Sequence, residues 1–375
     1  MTGAAPGGRA EGRAGATTAG ATTAGTGSKA SAGAPSAGAA AELWITVEDS
    51  VEAAGREAWT ALADACDASV FYRYDFLSSV ESLPLTFPSR ARYLMARDAT
   101  GELVAALPLY LQETRDPFST EPGGGPVLNA LVGHVWHCYD TTLLSREPLT
   151  AWLVEQFWTA LGALAAEHGA ELWGLVNIAV ESELASQLKA IGVELEETVP
   201  RYRLPIAGGP ADLDEHLSTV SRPSRRTLRQ YVRRAERAGA RTTLVTGRDG
   251  LDQAVLDLCL GTADKHAPGY YPQDRLGALI RRLGEACRIL RIELDGRLLA
   301  ASICMYDGSR MHAWAGGCEY PPELNWSPQY VLFAAELEAG FASGLPVLEC
   351  GRRNDVFKTR YGLTPHRLAR AVCRA

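Results

Sequence analysis

Apolar and polar positions follow no period until residue 43, where Leu43-Trp44-Ile45-Thr46-Val47 reads as a strand. Helical spacing of apolar residues follows over 51–66, and a second, shorter helix is predicted over 74–83. Two strands, 91–97 and 102–111, turn on Asp98-Ala99-Thr100-Gly101, the composition of a hairpin. The glycine-rich stretch Glu121 to Pro126 leads into Val132 to Asp140. Beyond it the pattern predicts a long helix over 148–168, a strand over 171–178, a helix over 183–190 and a strand over 193–204. This is a mixed α/β layout with its own core.

Ala207-Gly208-Gly209-Pro210 marks a boundary, after which much of the order returns. Helices are predicted over 212–217, 224–238, 249–263 and 273–286, then a hairpin of 288–294 and 298–306 turning at Asp295-Gly296, and a strand over 310–314. A helix over 328–342, a strand over 347–350, a short helix near Phe357 and a last strand over 366–373 complete the chain. A duplicated α/β unit is the simplest account, with a tail over 1–41 and units over 42–207 and 208–375. The tail is rich in Gly, Ala, Ser and Thr and lacks aromatic residues, so it is expected to be disordered.

Composition adds little to this picture. At 46% hydrophobic and 22% charged, the 375 residues suit ordinary globular domains. No run of about 18 apolar residues exists to span a membrane, and the start lacks a signal-peptide layout, so a cytoplasmic location is expected. The eight cysteines are scattered without a CxxC pair or a Cys/His cluster, and read as core thiols with no metal site.

Charge is more informative. Residues 1–205 hold 13 basic and 25 acidic side chains, and residues 206–375 hold 24 and 19, so the net −7 conceals −12 against +5. An anionic ligand would prefer the second half.

The clearest chemical signal lies over 221–239. On a helix at ~100° per residue, Arg222, Arg226, Arg229, Arg233 and Arg237 fall within about 80° of one another, opposite Leu228, Tyr231, Val232, Ala235 and Ala238. Ser221 or Ser224 can cap its start. Like charges at i, i+4 repel, and arginine at this density suits bidentate contact with phosphate on a cofactor or a nucleic-acid backbone, although a solvated face has the same composition.

A second segment runs from Gly316 to Gly362. Ser327-Pro328 opens a helix whose first N–H groups could meet an anion. Glu349 ends an apolar strand and Lys358 follows in a short turn, which brings a carboxylate and an ammonium near one strand end, as an ion pair or as reacting groups. His134 and His137 read as loop or core histidines. Lys265 to Tyr271 is a polar, aromatic loop that could line a site. Gly-x-Ser-x-Gly, Walker A and HExxH strings are absent, which argues against serine hydrolases, P-loop NTPases and zincins.

Residues 212–375 resemble GNAT acyltransferases of the group that holds the Fem peptidyltransferases and BioF2-like acetyltransferase domains. The resemblance is carried by the arginine helix 225–239, the hairpin with Asp295-Gly296, Ser327-Pro328, Glu349-Cys350-Gly351-Arg352 and Phe357-Lys358. The first half resembles a degenerate GNAT copy through 92–97 and 104–111.

The resemblance implies an α/β fold of mixed sheets, with two tandem GNAT-like domains enclosing a cleft, and amide formation on an amine-bearing small molecule or peptide. It implies no tightly bound cofactor, only an acyl donor as co-substrate, aminoacyl-tRNA or acyl-CoA. The usual CoA string, Gln/Arg-x-x-Gly-x-Gly/Ala, occurs only from Arg9 and Arg281, outside its proper context, so the tRNA donor is preferred. The alternatives are an acyl-CoA-dependent N-acetyltransferase and a non-catalytic module for an anionic ligand.

Lys358 would neutralise charge on the donor or the tetrahedral intermediate, and Glu349 would accept or relay a proton. Arg226, Arg229, Arg233, Ser327, Gln329 and Arg352 are expected to hold the donor. Trp136, His137, Tyr139, Lys265, Tyr271 and Trp314 are expected to hold the acceptor.

Overall fold

Alternating runs in the first half form β1 (Trp44–Glu48), β2 (Ser89–Arg97), β3 (Leu103–Arg115), β4 (Val127–Gly133), β5 (Leu144–Ser145), β6 (Leu172–Ala179) and β7 (Glu196–Pro205). Between them stand α1 (Arg56–Ala65), α2 (Tyr74–Ser82), α3 (Ala151–Glu167) and α4 (Glu183–Ala190). The second half contributes α5 (Leu213–Thr219), α6 (Arg222–Arg237), β8 (Arg241–Thr246), α7 (Gly247–Gly250), α8 (Gln253–Asp264) and α9 (Gln273–Leu283). It continues with β9 (Cys287–Leu294), β10 (Arg297–Tyr306), β11 (Arg310–Cys318), α10 (Pro328–Ala342), β12 (Val347–Glu349), α11 (Asp355–Arg360) and β13 (Thr364–Arg374). This computed structural model describes residues 43–85, 89–116, 125–135, 138, 140–265 and 271–375. The expected tail lies outside the described residues.

Several predicted elements are subdivided or shifted. The helix expected over 51–66 is a single 3-10 turn, Val51–Ala54, and then α1, because Gly55 sits at φ +79 between them. The helix expected over 249–263 breaks before Asp252, whose carboxylate accepts from Val255 N and caps α8. At α6 the Ser221 hydroxyl donates to Ser224 Oγ at 2.9 Å instead of capping a backbone N–H. β4, β5 and β8 were not predicted.

Among the described residues one open sheet of 13 strands runs β1-β2-β3-β4-β6-β13-β7-β12-β11-β10-β9-β8, with β5 on the side of β3. Neighbours are antiparallel except at β4–β6 and β11–β12. The order is the same read from either end. From β1 it runs through four strands, across a parallel step to β6, and then meets β13 before β7; from β8 it runs through four strands, across a parallel step to β12, and then meets β7 before β13. The last strand of each half thus lies between the last two strands of the other. Residues 41–375 accordingly form one compact unit.

Three large cores clothe this sheet. α1 and α2 share one core with α8 and α9, around Trp59, Phe76, Leu256 and Leu279. A second gathers α5, α6 and α10 on the opposite face of β9–β11, and a third packs α3 and α4 on β2, β3 and β6.

The two parallel steps are where the sheet opens. β12 has three residues and on its β11 side reaches only Arg310, Met311 and His312, whereas β11 continues to Cys318. Beyond Glu349 the chain bends away through Gly351, Arg353 and Asn354, all in the left-handed region. A wedge remains between the strands.

Gly317 sets the wall of that wedge. A Cβ there would lie 2.0 Å from Leu258 O and 2.8 Å from Thr262 Oγ1, so α8 rests directly on the β11 backbone. Gly317→Ala should therefore cost about 1–3 kcal/mol through overpacking. A urea midpoint equal to that of the parent would refute this.

Candidate functional site

The wedge between β11 and β12 holds a cleft of 430 Å³. β11 supplies Gly316, Gly317 and Cys318 to it, α8 supplies Thr262, and Lys265, the C-cap residue of α8, joins them. From α10 come Gln329, Leu332, Phe333 and Glu336, whose i, i+3, i+4, i+7 spacing places them along one helix face. The turn after β12 brings Cys350, Arg352 and Asn354, and α11 brings Phe357 and Lys358.

Lys358 is buried, and its ammonium donates to three successive carbonyls, Cys350 at 2.5 Å, Gly351 at 3.0 Å and Arg352 at 2.8 Å. The Tyr202 ring stands 5.6 Å away. Burial lowers the Lys358 pKa, opposed by Cys350 and Glu336. The ammonium thus fixes the loop that carries Arg352. Arg352 also donates to Asn177 Oδ1 at 2.6 Å, which ties the cleft to β6 of the first half.

Glu349 is turned away from the cleft. It is 3% exposed, and its Oε1 lies 3.0 Å from an Arg201 nitrogen without forming a directed hydrogen bond. Arg201, itself 3% exposed, bonds to Asp140 Oδ2, and His366 Nε2 approaches the other Asp140 oxygen at 3.3 Å. Burial acts most strongly on Asp140 and raises its pKa, but Arg201 and His366 together outweigh it and hold the carboxyl at about 2. Sequence reasoning missed this cluster because its members come from four separate segments.

The arginine helix lies beside the cleft and not in it. α6 packs on α10, with the Tyr231 and Tyr330 rings 4.8 Å apart, and Arg234 donates to Asn325 O at 2.7 Å, two residues ahead of Ser327. Arg226 and Arg233 are exposed, and Arg233 Nε donates to Arg229 O at 3.2 Å. Arg229 pairs with Asp214 at 2.6 Å, so the face is partly neutralised within the fold.

Ser327 occupies the cap position of α10 without a capping bond from its side chain, while Gln329 Oε1 accepts from Tyr320 at 3.2 Å. Of the expected acceptor group, Lys265 lines the cleft. Trp314 instead packs in the shared core, 5.7 Å from Tyr271 and 6.4 Å from Phe71 by ring centroids. Trp136, His137 and Tyr139 lie outside the described residues.

Among the described residues, Glu336 is the charged one in the cleft that sequence reasoning did not single out. Its signal was a lone carboxylate amid Val331 to Leu337, a run otherwise apolar on every side. The cleft's two thiols are poor nucleophiles, because burial pushes Cys318 up to about 12 and Cys350 up as well. Among the described residues no group of three or more His, Cys, Asp and Glu could hold a metal ion, and no helix is long and apolar enough to cross a membrane.

Residues 222–359 match the family model described as acetyltransferase (GNAT) domain. No curated protein matches the chain in sequence. Among solved structures, FemX aligns at a TM-score of 0.55 and 12% identity, over 84% of this chain and 95% of its own. A tandem GNAT protein from the clavulanic acid biosynthesis pathway aligns at 0.51 and 14%, over 89% and 98%. The C-terminal domain of a putative lysylphosphatidylglycerol synthetase from Agrobacterium fabrum aligns at 0.50 and 15%, over 85% and 92%. Residues 222–359, which take in the whole β11–β12 cleft, are thus an acyltransferase domain of the GNAT fold, and the chain as a whole shares the architecture of these structures.

Proposed function

We propose that the protein forms an amide bond by moving an aminoacyl group from a charged tRNA onto the amine of a small molecule or peptide, in the manner of the Fem-type enzymes. The halves 42–207 and 208–375 act as two GNAT-like copies, a reading supported by the strand order that repeats from both ends of the sheet. Acyl transfer takes place at the β11–β12 wedge. Such a donor puts the enzyme in the cytoplasm.

The observation that carries the donor assignment is the seat of α6 against the start of α10. A polyanion lying along Arg226 and Arg233 would bring its end toward Ser327, which opens α10, and Gln329, which lines the cleft, with Arg234 already bonded to Asn325 beside them. Pro328 also removes an N–H from the first turn of α10, which weakens that helix end as a cradle for a diphosphate. The second reading, an acyl-CoA donor, is favoured by the acetyltransferase description of the family matched over 222–359.

Inside the cleft the amine nitrogen attacks the acyl carbon, and the C–N bond forms as the bond to the donor oxygen, or sulfur, breaks. Lys265, Arg352 and Lys358 give the cleft a positive potential that favours the developing oxyanion.

Replacing Arg226, Arg229 and Arg233 together with Ala separates the donors. With a tRNA donor, affinity for tRNA falls and the log–log salt slope of binding flattens by up to about two units, while acetyl-CoA shows little affinity in calorimetry. Saturable CoA binding by the parent, with tRNA held only at low salt, would replace this reading by the second. A triple variant with full stability, donor affinity and turnover would reduce those arginines to a solvated surface.

A further inference from the structure

α10 is apolar around most of its circumference, and where it faces the cleft it presents one acid. Glu336 is half-buried and lines the cleft, with Ser302 of the sheet floor and Lys358 as the neighbours that favour its charged form. The other charged side chains that line the cleft among the described residues, Lys265, Arg352 and Lys358, are cations. A cleft selected only to hold an anion would gain nothing from a carboxylate in its wall.

The position of that carboxylate matches a task in the reaction. Gly316 and Gly317 form the strand wall of the wedge and Glu336 lines the same space from the helix, so a donor and an amine meeting there would have its carboxylate beside them. We propose that Glu336 is the general base of the reaction, taking the proton from the acceptor amine as its nitrogen bonds to the acyl carbon.

This rests on the acyl-transfer reading above. The nitrogen lone pair makes the new C–N bond, the N–H proton passes to a Glu336 oxygen, and the donor oxygen or sulfur leaves with the electrons of its bond to carbon. That leaving atom then collects the proton from Glu336, which returns to the carboxylate with nothing left over. Burial, the largest influence on Glu336, raises its pKa against the opposing effects of Ser302 and Lys358, which moves it toward the range where a base both accepts and returns a proton near neutrality.

The test uses the full-length protein with a charged-tRNA pool or acetyl-CoA as donor and a panel of primary amines as acceptors. Glu336→Gln should lower kcat at least ~100-fold while leaving donor KM and melting temperature unchanged. Its residual rate should climb about tenfold per pH unit, as free amine replaces the missing base. A glutamine variant that keeps kcat within about threefold of wild type, or that loses donor affinity instead, overturns the assignment while leaving acyl transfer standing. Should that variant fail to fold, Glu336→Asp serves in its place, with an expected loss of about tenfold in kcat; an unchanged kcat there overturns the proposal equally. A wild type that transfers from neither donor to any amine overturns the acyl-transfer reading, and this assignment with it.

Discussion

Arg201→Met should lower stability by about 3–5 kcal/mol in a urea titration, one of the largest effects expected of a single substitution in this chain. Arg201 stands on β7 and is 3% exposed, bonded to Asp140 from the loop after β4 and 3.0 Å from Glu349 at the end of β12. Its removal leaves the buried carboxylate of Glu349 and the half-buried one of Asp140, which keeps His366 and the more distant charge of Arg310. The loss comes less from a missing attraction than from acids left without a counter-charge.

The pH dependence separates that cause from lost packing. In the parent, the Asp140 carboxyl is depressed to about 2, so its contribution is full above the ordinary carboxyl range near ~3.9 and is lost as pH falls through about 2. Without Arg201 the Asp140 pKa rises, because burial is then opposed only by His366 and Arg310, and protonation relieves the folded state. The deficit of the variant should be greatest at neutral pH and narrow as pH falls toward about 4. Adding Asp140→Asn and Glu349→Gln to Arg201→Met should recover at least about half of it. A deficit that is flat from pH 7 to 4, or no deficit, would falsify this account.

Local pattern gave most of the elements and little of their assembly. The hairpin predicted over 288–294 and 298–306 is β9 and β10, and the arginine helix is α6, because period and turn chemistry are local properties. β8 escaped notice because Arg-Thr-Thr-Leu-Val-Thr is an exposed edge strand with no apolar face to read.

The exchange of β7 and β13 was not legible, since strand order is fixed by partners more than a hundred residues apart. The same holds for the site. Spacing placed Glu349 and Lys358 near one strand end, and it brought Arg352, Gln329 and Lys265 to the list of residues that line the cleft. It could not show that Arg201 draws Glu349 to the other side, or that Asp214 occupies Arg229. Glu336 was hidden differently. A helix that is apolar nearly all round gives no moment to say which face meets an open space.

Lys358→Met should reduce turnover at least tenfold, corresponding to about 1.4 kcal/mol of barrier, and should also lower stability by about 1.5–3 kcal/mol. Both effects have one source. The ammonium converges on the carbonyls of Cys350, Gly351 and Arg352, and the chain then passes through Arg353 and Asn354 at φ +64 and +54. Methionine fills the same space with no donor, so the carbonyls of Cys350 and Arg352 lose the ammonium, Gly351 O keeps only Tyr202 N–H, and the turn is free to relax. Arg352 rides on that turn and reaches Asn177 Oδ1 at 2.6 Å, so relaxation moves a cation of the cleft as well as removing one. Lys358→Arg should restore the charge but not the rate, because a planar guanidinium cannot direct three hydrogen bonds to carbonyls grouped around a single nitrogen. Recovery of full turnover by arginine would mean that charge alone matters at this position, and unchanged turnover in a folded methionine variant would leave Lys358 as a loop anchor with no part in the reaction.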